Sequence, residues 1–296
     1  MGSILPQLII NSLITGSIYA LAAAGLAITF CSHKVLNFAH GHSIMLGGYL
    51  FYCFSQLLGL PIYISILCVL LSAIPFALII VKIFIDPFVK ITPILAFVTT
   101  LALSIILEAV ISIIFGVNVL TLSSDFSLPY QIGSIFVTST QILIITTALV
   151  IGLGLFILTR STIFGLRLRA LNESSISLAS VGVDSKKIAT NTFIVSLGLA
   201  FVAGISLGFE TNIQPTYGSS IMLKAFAAVV VGGLGNVRGA IFGAFFLATI
   251  ENFGVGLDLG EFSLPASYRD SFAFVIILFV LLVRPQGIFT KSIRVA

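Results

Sequence analysis

The three histidines, His33, His40 and His42, fall within one ten-residue stretch. Side chains of this type can chelate a metal or relay protons, so spacing decides. His33 and His40 are seven residues apart, two helical turns or about 10 Å. His40 and His42 are two apart, on opposite sides of a helix. Neither spacing holds one ion, and no cysteine or acid stands at a useful offset, so no metal site is expected. A proton relay remains open, beside a plain polar turn between two apolar runs. Glu108 and Glu251 lie inside apolar stretches. A carboxylate there needs a partner or stays protonated, so each either couples ions to transport or bonds to a neighbouring helix. Cys31, Cys53 and Cys68 form no CxxC pair and read as small packing residues. Gln7, Asn11 and Lys224 fall near the ends of apolar runs, at the expected outer interface.

Gly232-Gly233-Leu234-Gly235 breaks an apolar run and is followed by Asn236 and Arg238. A phosphate-binding loop would need Gly-Lys-Ser/Thr next, and no such pattern occurs anywhere in the chain. Unwound backbone at membrane depth is tolerated where it is buried in protein or lines a watery cavity. No paired acids and no nucleophile–base spacing support an enzyme, and no cofactor is expected.

The elements that must position these residues follow from composition. Only 8% of the residues are charged and 58% are hydrophobic, against about 25% charged in a soluble domain. The apolar runs are continuous, which argues for helices and against the alternating strands of a β-barrel. The fold is expected to be an all-α polytopic membrane protein, a single transmembrane domain over residues 1–296, with about eight or nine transmembrane helices including interrupted or re-entrant segments. Spans are read near 4–30, 42–59, 62–85, 93–116, 135–158, 188–209, 221–234, 239–255 and 270–284. Residues 221–255 are either two spans or a hairpin. Lys34, Lys82, Lys90, Arg160, Arg167, Arg169, Lys186, Lys187, Arg238, Arg284, Lys291 and Arg294 occupy alternate links, whereas the intervening links carry only Asp125, Glu210, Asp258 and Glu261. That alternation predicts the N-terminus outside and the C-terminus inside, and makes sidedness a better account of the +4 net charge than a nucleic-acid partner. Met1 to Ser32 carries no charge, so a cleavable signal peptide is not expected.

The link at about 159–187 is the most informative. Arg167 and Arg169 lead into Asn172-Glu173, read as a helix start. Leu171, Leu178 and Ala179 share one face, Gly182 is a stop, and Asp184 or Ser185 caps the next helix. Such a short cytoplasmic helix is either a surface feature or a knob for a groove in a partner. Two hinge regions also correspond weakly. Gly16-Ser17 opens a run leading to Asn37-Phe38-Ala39-His40-Gly41, and Gly218-Ser219 opens one leading to Gly235-Asn236-Val237-Arg238-Gly239. Paired interrupted segments point to a transporter's central path.

Three stretches taken together, GSIYALAAAGLAITF with VLNFAHG, GLRLRALNESSISLASVGV, and AFAAVVVGGLGNVRGAIFGA followed by LVRPQGIF, resemble the LivH-type permease subunit of branched-chain amino acid ABC transporters over nearly the whole chain. The resemblance implies a multi-pass subunit of the bacterial cytoplasmic (inner) membrane. It would form half of a translocation path with a second permease, LivM-like or a second copy. Two cytoplasmic ATPases and an external solute-binding protein would complete the importer. It also implies ATPase contact at Arg167, Arg169, Ala170, Asn172, Glu173, Ala179 and Gly182, in a loop that departs from the family in its Ser174, Ser175, Ser177 and Ser180. Asn37, His40, Gly41, Gly232, Gly233, Gly235 and Asn236 are expected along the path. Solutes in the family include neutral amino acids, urea and short amides. An ion-coupled secondary carrier using His40, Glu108 or Glu251 is the reading from another class.

Overall fold

The computed structural model describes residues 5–89, 91–122, 128–133, 135–174, 178, 180, 182–256, 265, 268–284 and 287–289. The chain is a polytopic helical membrane protein. Its helices in order are α1 (Leu5–His33), α2 (Ala39–Tyr52, continued by a π-helical turn Cys53–Leu57), α3 (Ile62–Ile79), α4 (Asp86–Val89), α5 (Pro93–Phe115), α6 (Ser139–Ser161), α7 (Ile163–Glu173), α8 (Ser185–Glu210), α9 (Tyr217–Gly232), α10 (Val237–Gly256) and α11 (Arg269–Val283). Among the described residues, six helical stretches are long and apolar enough to cross a bilayer: 5–33, 62–89, 93–115, 139–161, 185–210 and 237–256. The helices α2, α9 and α11 are shorter.

The long apolar runs become helices because lipid offers backbone groups no other partner. Helix α1 is the axis of the bundle. It is buried along most of its length against α8, α9 and α10. Around it, α3, α5, α6 and α11 turn large apolar side chains such as Leu71, Ile106, Leu153 and Leu282 outward. The inner helices approach closely through small residues. Side-chain carbon at Gly204 would overlap the Ile44 carbonyl, and at Gly243 the Ala228 carbonyl.

One departure from an all-helical chain is a hairpin, β1 (Pro129–Ile132) and β2 (Ile135–Thr138), paired antiparallel. Its turn needs the left-handed Gly133 (φ +65°). Phe136 and Val137 supply β-favouring side chains. Thr138 then ends the hairpin by capping α6, with the Gln141 side chain returning to its backbone.

Candidate translocation path and coupling helix

Two short helices meet deep in the bundle. Residues 34–38 run back along α1 without helical structure, so that α2 starts beside the middle of α1. There His40 Nε2 donates to the Ala22 carbonyl at 3.0 Å, with Gly25 against its ring. Ser196 Oγ of α8 donates to the Gly25 carbonyl at 2.7 Å. Asn37 Oδ1 accepts from Ala39 N at 3.1 Å and so supports the first turn of α2, while its Nδ2 is buried without a partner.

Helix α9 begins against that same point. A Cβ at Gly41 would overlap the Gly218 carbonyl and Met222, and one at Gly218 would press on His42. These reciprocal contacts make α2 and α9 antiparallel at the crossing. The matching stretches are Gly41-His-Ser-Ile-Met-Leu46 and Gly218-Ser-Ser-Ile-Met-Leu223. This inverted pair is distinct from the weak correspondence of the Gly16-Ser17 and Gly218-Ser219 runs; Gly16 itself packs on Phe245. The signal was present in sequence as a six-residue near-identity.

Charged residues flank this crossing. His42 Nε2 lies 3.0 Å from Glu108 Oε2 of α5, and the Glu108 side chain is 35% exposed. Two turns along α9, Lys224 Nζ lies 2.8 Å from Asp270 Oδ1 and 3.9 Å from Glu251 Oε2. Tyr19 Oη donates to Glu251 Oε2 at 2.8 Å, and the Lys224 ammonium sits 5.3 Å from the Tyr19 ring centroid. Glu251 is fully buried, but Asp270 is half exposed. Lys224 is therefore held inside the helix assembly, with its ammonium shared between Asp270 and Glu251. Glu251 has the helix-to-helix partners that its burial requires. Asp270 escaped notice in the sequence because it opens the last span.

Fourteen residues along α9 from Gly218, about 21 Å, the Gly232–Asn236 turn joins α9 to α10. Gly233 (φ +97°) and Gly235 (φ +82°) take conformations that other residues resist. Asn236 caps α10 by accepting from Gly239 N at 3.1 Å, and its Nδ2 donates to the Phe289 carbonyl. Cys31 Sγ donates to the Gly235 carbonyl at 2.9 Å. Asn37, His40 and Gly41 thus share one site, whereas Gly232, Gly233, Gly235 and Asn236 lie at the far end of α9.

That far end also carries α7. Thr162 caps it through Gly165 N at 3.1 Å, so the helix starts at Ile163 and ends at Glu173. Asn172-Glu173 ends α7, and beyond Ser174 the described residues Leu178 and Ser180 are helical again, in the stretch where a helix up to Gly182 is expected. Leu168 and Leu171 are buried, while Arg167, Arg169 and Glu173 are exposed and Ala170 and Asn172 are half-buried. The Asn172 amide oxygen accepts from the Lys34 ammonium at the end of α1. Gly182 (φ +76°) makes the break, and Asp184 Oδ1 accepts from Lys186 N and Lys187 N to start α8. Ala179 lies outside the described residues. A cleft of about 540 Å³ between α1, α4, α7 and α8 is lined by polar groups including Lys34, Asp86, Asn172, Glu173 and Lys186.

The sequence was compared with known proteins. The family model described as branched-chain amino acid transport system / permease component matches residues 8–281. The high-affinity branched-chain amino acid transport system permease protein LivH of Salmonella typhimurium is 29% identical over 296 residues, covering 95% of this chain and 94% of that protein. The corresponding protein BraD of Pseudomonas aeruginosa is 28% identical, with the same shares covered. A probable branched-chain amino acid transport permease protein LivH of Methanocaldococcus jannaschii is 29% identical over 94% of this chain and 90% of its own. Among solved structures, PsaBC from Streptococcus pneumoniae in complex with Fab aligns with a TM-score of 0.52 over 93% of this chain and 91% of that one. At 16% identity that likeness is one of fold. With a match spanning nearly its whole length, the chain belongs to the family of permease components of branched-chain amino acid transport systems.

Proposed function

We propose that this chain is the membrane-spanning permease subunit of an ABC importer for branched-chain or other neutral amino acids, in the bacterial cytoplasmic membrane. It forms half of the translocation path, with a LivM-like permease or a second copy as the other half. Two cytoplasmic ATPases supply the energy and an external binding protein delivers the solute. The N-terminus is outside and the C-terminus inside, and α2, α9 and α11 complete eight or nine crossings. The family match carries this reading, and the permeases it resembles are named for branched-chain amino acids.

Coupling runs through α7 and the segment up to Gly182. Arg167, Arg169 and Glu173 present charged side chains from a helix tied at both ends to long membrane helices, which suits a knob seated in a partner's groove. Ala170, Asn172, Ala179 and Gly182 shape that knob. ATP-driven closure of the partner then moves α7 and, through Lys34–Asn172, α1. The Asn37–Gly41 entry to α2 and the Gly232–Asn236 turn lie at the two ends of the moving inner helices.

Arg169 and Glu173 replaced together by Ala should lower leucine uptake at least tenfold while leaving leucine binding to the external protein unchanged. Normal uptake by that double variant would remove the coupling role from α7. Uptake by the chain alone, abolished by an uncoupler while ATP is maintained, would instead make it an ion-coupled carrier.

A further inference from the structure

A carboxylate on a lipid-facing helix surface is costly, so an ionisable group exposed at membrane depth marks a watery route or a partner subunit. Two partly exposed carboxylates are candidates: Glu108, inside the apolar α5 and paired with His42 of α2, and Asp270, in the first turn of α11 and paired with Lys224 of α9. The helices bearing them pack in series, α5 on α2, α2 on α9 and α9 on α11. Phe38, just before α2, packs on Phe97 of α5 (4.9 Å between centroids) and on Phe226 of α9 (6.4 Å), and α11 lies against α9.

The first turn of α9 meets α2 at His42. No side chain caps it, and Ser219 and Ser220 are exposed there. Tyr217 N donates to the Gln214 carbonyl, and the N–H groups of the rest of the first turn, with the helix dipole, favour an anion. The His42 ring packs on Gly218 in that turn, contacts Glu108 through Nε2, and buries Nδ1 without a partner. An anion-favouring helix end and a carboxylate thus stand one imidazole apart, which matches the two charged ends of an α-amino acid.

We propose that the face of α2, α5, α9 and α11 is the solute path, and that it binds an amino acid zwitterion with the ammonium at Glu108 and the carboxylate at the first turn of α9. This rests on the importer reading above and assigns its solute site. Lys224 and Asp270 form the next charged station, two turns along α9. Phe38, Phe97 and Phe226 close the path between α5 and α9 toward the α7 end.

The test uses the complete importer in proteoliposomes. Glu108→Gln should reduce leucine uptake at least tenfold without reducing the amount of assembled complex, and Glu108→Asp should restore part of it. In a second arm, Cys31, Cys53 and Cys68 are replaced by alanine and Ser219→Cys is introduced. A charged methanethiosulfonate reagent should label it, and millimolar leucine should slow labelling where mannitol does not. Wild-type uptake by Glu108→Gln overturns the site, and so does labelling that is absent or indifferent to leucine. A wild-type importer that moves no branched-chain amino acid overturns the functional reading itself, and this solute assignment with it.

Discussion

Tyr19 Oη donates to Glu251 Oε2 at 2.8 Å, joining the centre of α1 to α10 around a carboxylate with no exposed surface. Glu251 Oε1 has no partner, so Tyr19 and the Lys224 ammonium carry its burial. Removing one partner of a buried charge pair costs about 3–5 kcal/mol. A lost hydrogen bond to a buried group costs about 1–3 kcal/mol. Glu251→Ala should therefore lower the melting temperature of the detergent-purified chain more than Tyr19→Phe, and Glu251→Gln least, since its amide oxygen still accepts from Tyr19. Fluorescence-detected size exclusion after heating measures this order. Equal midpoints for Ala and Gln would show that the carboxylate's place is merely filled.

Gly41 and Gly218 are required by the crossing and not by helix formation. A methyl group at either meets backbone of the opposite helix, which cannot move aside as a flexible side chain does. Overpacking of this kind costs about 1–3 kcal/mol. Gly41→Ala and Gly218→Ala should each reduce folded yield and melting temperature. Gly198→Ala is the control, because a Cβ there meets nothing within 4 Å and the substitution favours the helix by roughly 0.5–1 kcal/mol. If all three behave alike, the two short helices do not touch as described.

The helices were legible because a long uninterrupted apolar run has one stable form in lipid. Most helix ends fall within about four residues of the spans read from hydropathy; the exceptions are the C-terminal ends of α2 and α3, at Tyr52 and Ile79, after which π-helical turns carry the chain on toward 59 and 85. The small elements were harder. Helix α7 itself was not legible, because its cap is Thr162 with Gly165 three residues on, a weak pattern beside the end of α6, whereas the helix expected from Asn172-Glu173 to Gly182 has helical backbone at Leu178 and Ser180. The hairpin was missed because its strands are four residues each, too short for alternation to stand out. Of the candidate site, Asn37, His40 and Gly41 were visible as polar residues between apolar runs. The Lys224–Asp270 pair was not, since 46 positions separate residues that only the packing of α11 on α9 brings together.

Lys34 ends α1 in the left-handed region (φ +55°), a conformation that costs an ordinary residue about 1–2 kcal/mol. Its side chain also bonds to Asn172 of α7. Two readouts tell the roles apart. Lys34→Gly removes the strain and the tie together, so global stability should hold or rise slightly. Amide hydrogen exchange in α7 should quicken, because its link to α1 is gone. Unchanged exchange in α7 would mean that the Lys34–Asn172 bond does not restrain it.

Gly165 sets the angle at which α7 leaves α6. A Cβ there would overlap the carbonyls of Leu158 and Thr159, so any side chain must push α7 away from the end of the preceding helix. Leu168 and Leu171 would then lose their seat, and the exposed Arg167, Arg169 and Glu173 would be displaced as a rigid unit. Displacement should separate transport from hydrolysis without destroying the bundle, since α7 touches few of the inner helices. In the assembled importer, Gly165→Val should abolish stimulation of ATPase activity by solute-loaded binding protein, with the permease still present at normal levels in the membrane. Gly154→Val, at a helical position of α6 where a Cβ meets nothing within 4 Å, should leave stimulation within about twofold of normal by the same reasoning on helix surfaces. Stimulation that survives Gly165→Val would place the coupling contact elsewhere on the cytoplasmic side, with the polar cleft between α4 and α8 the next surface to substitute.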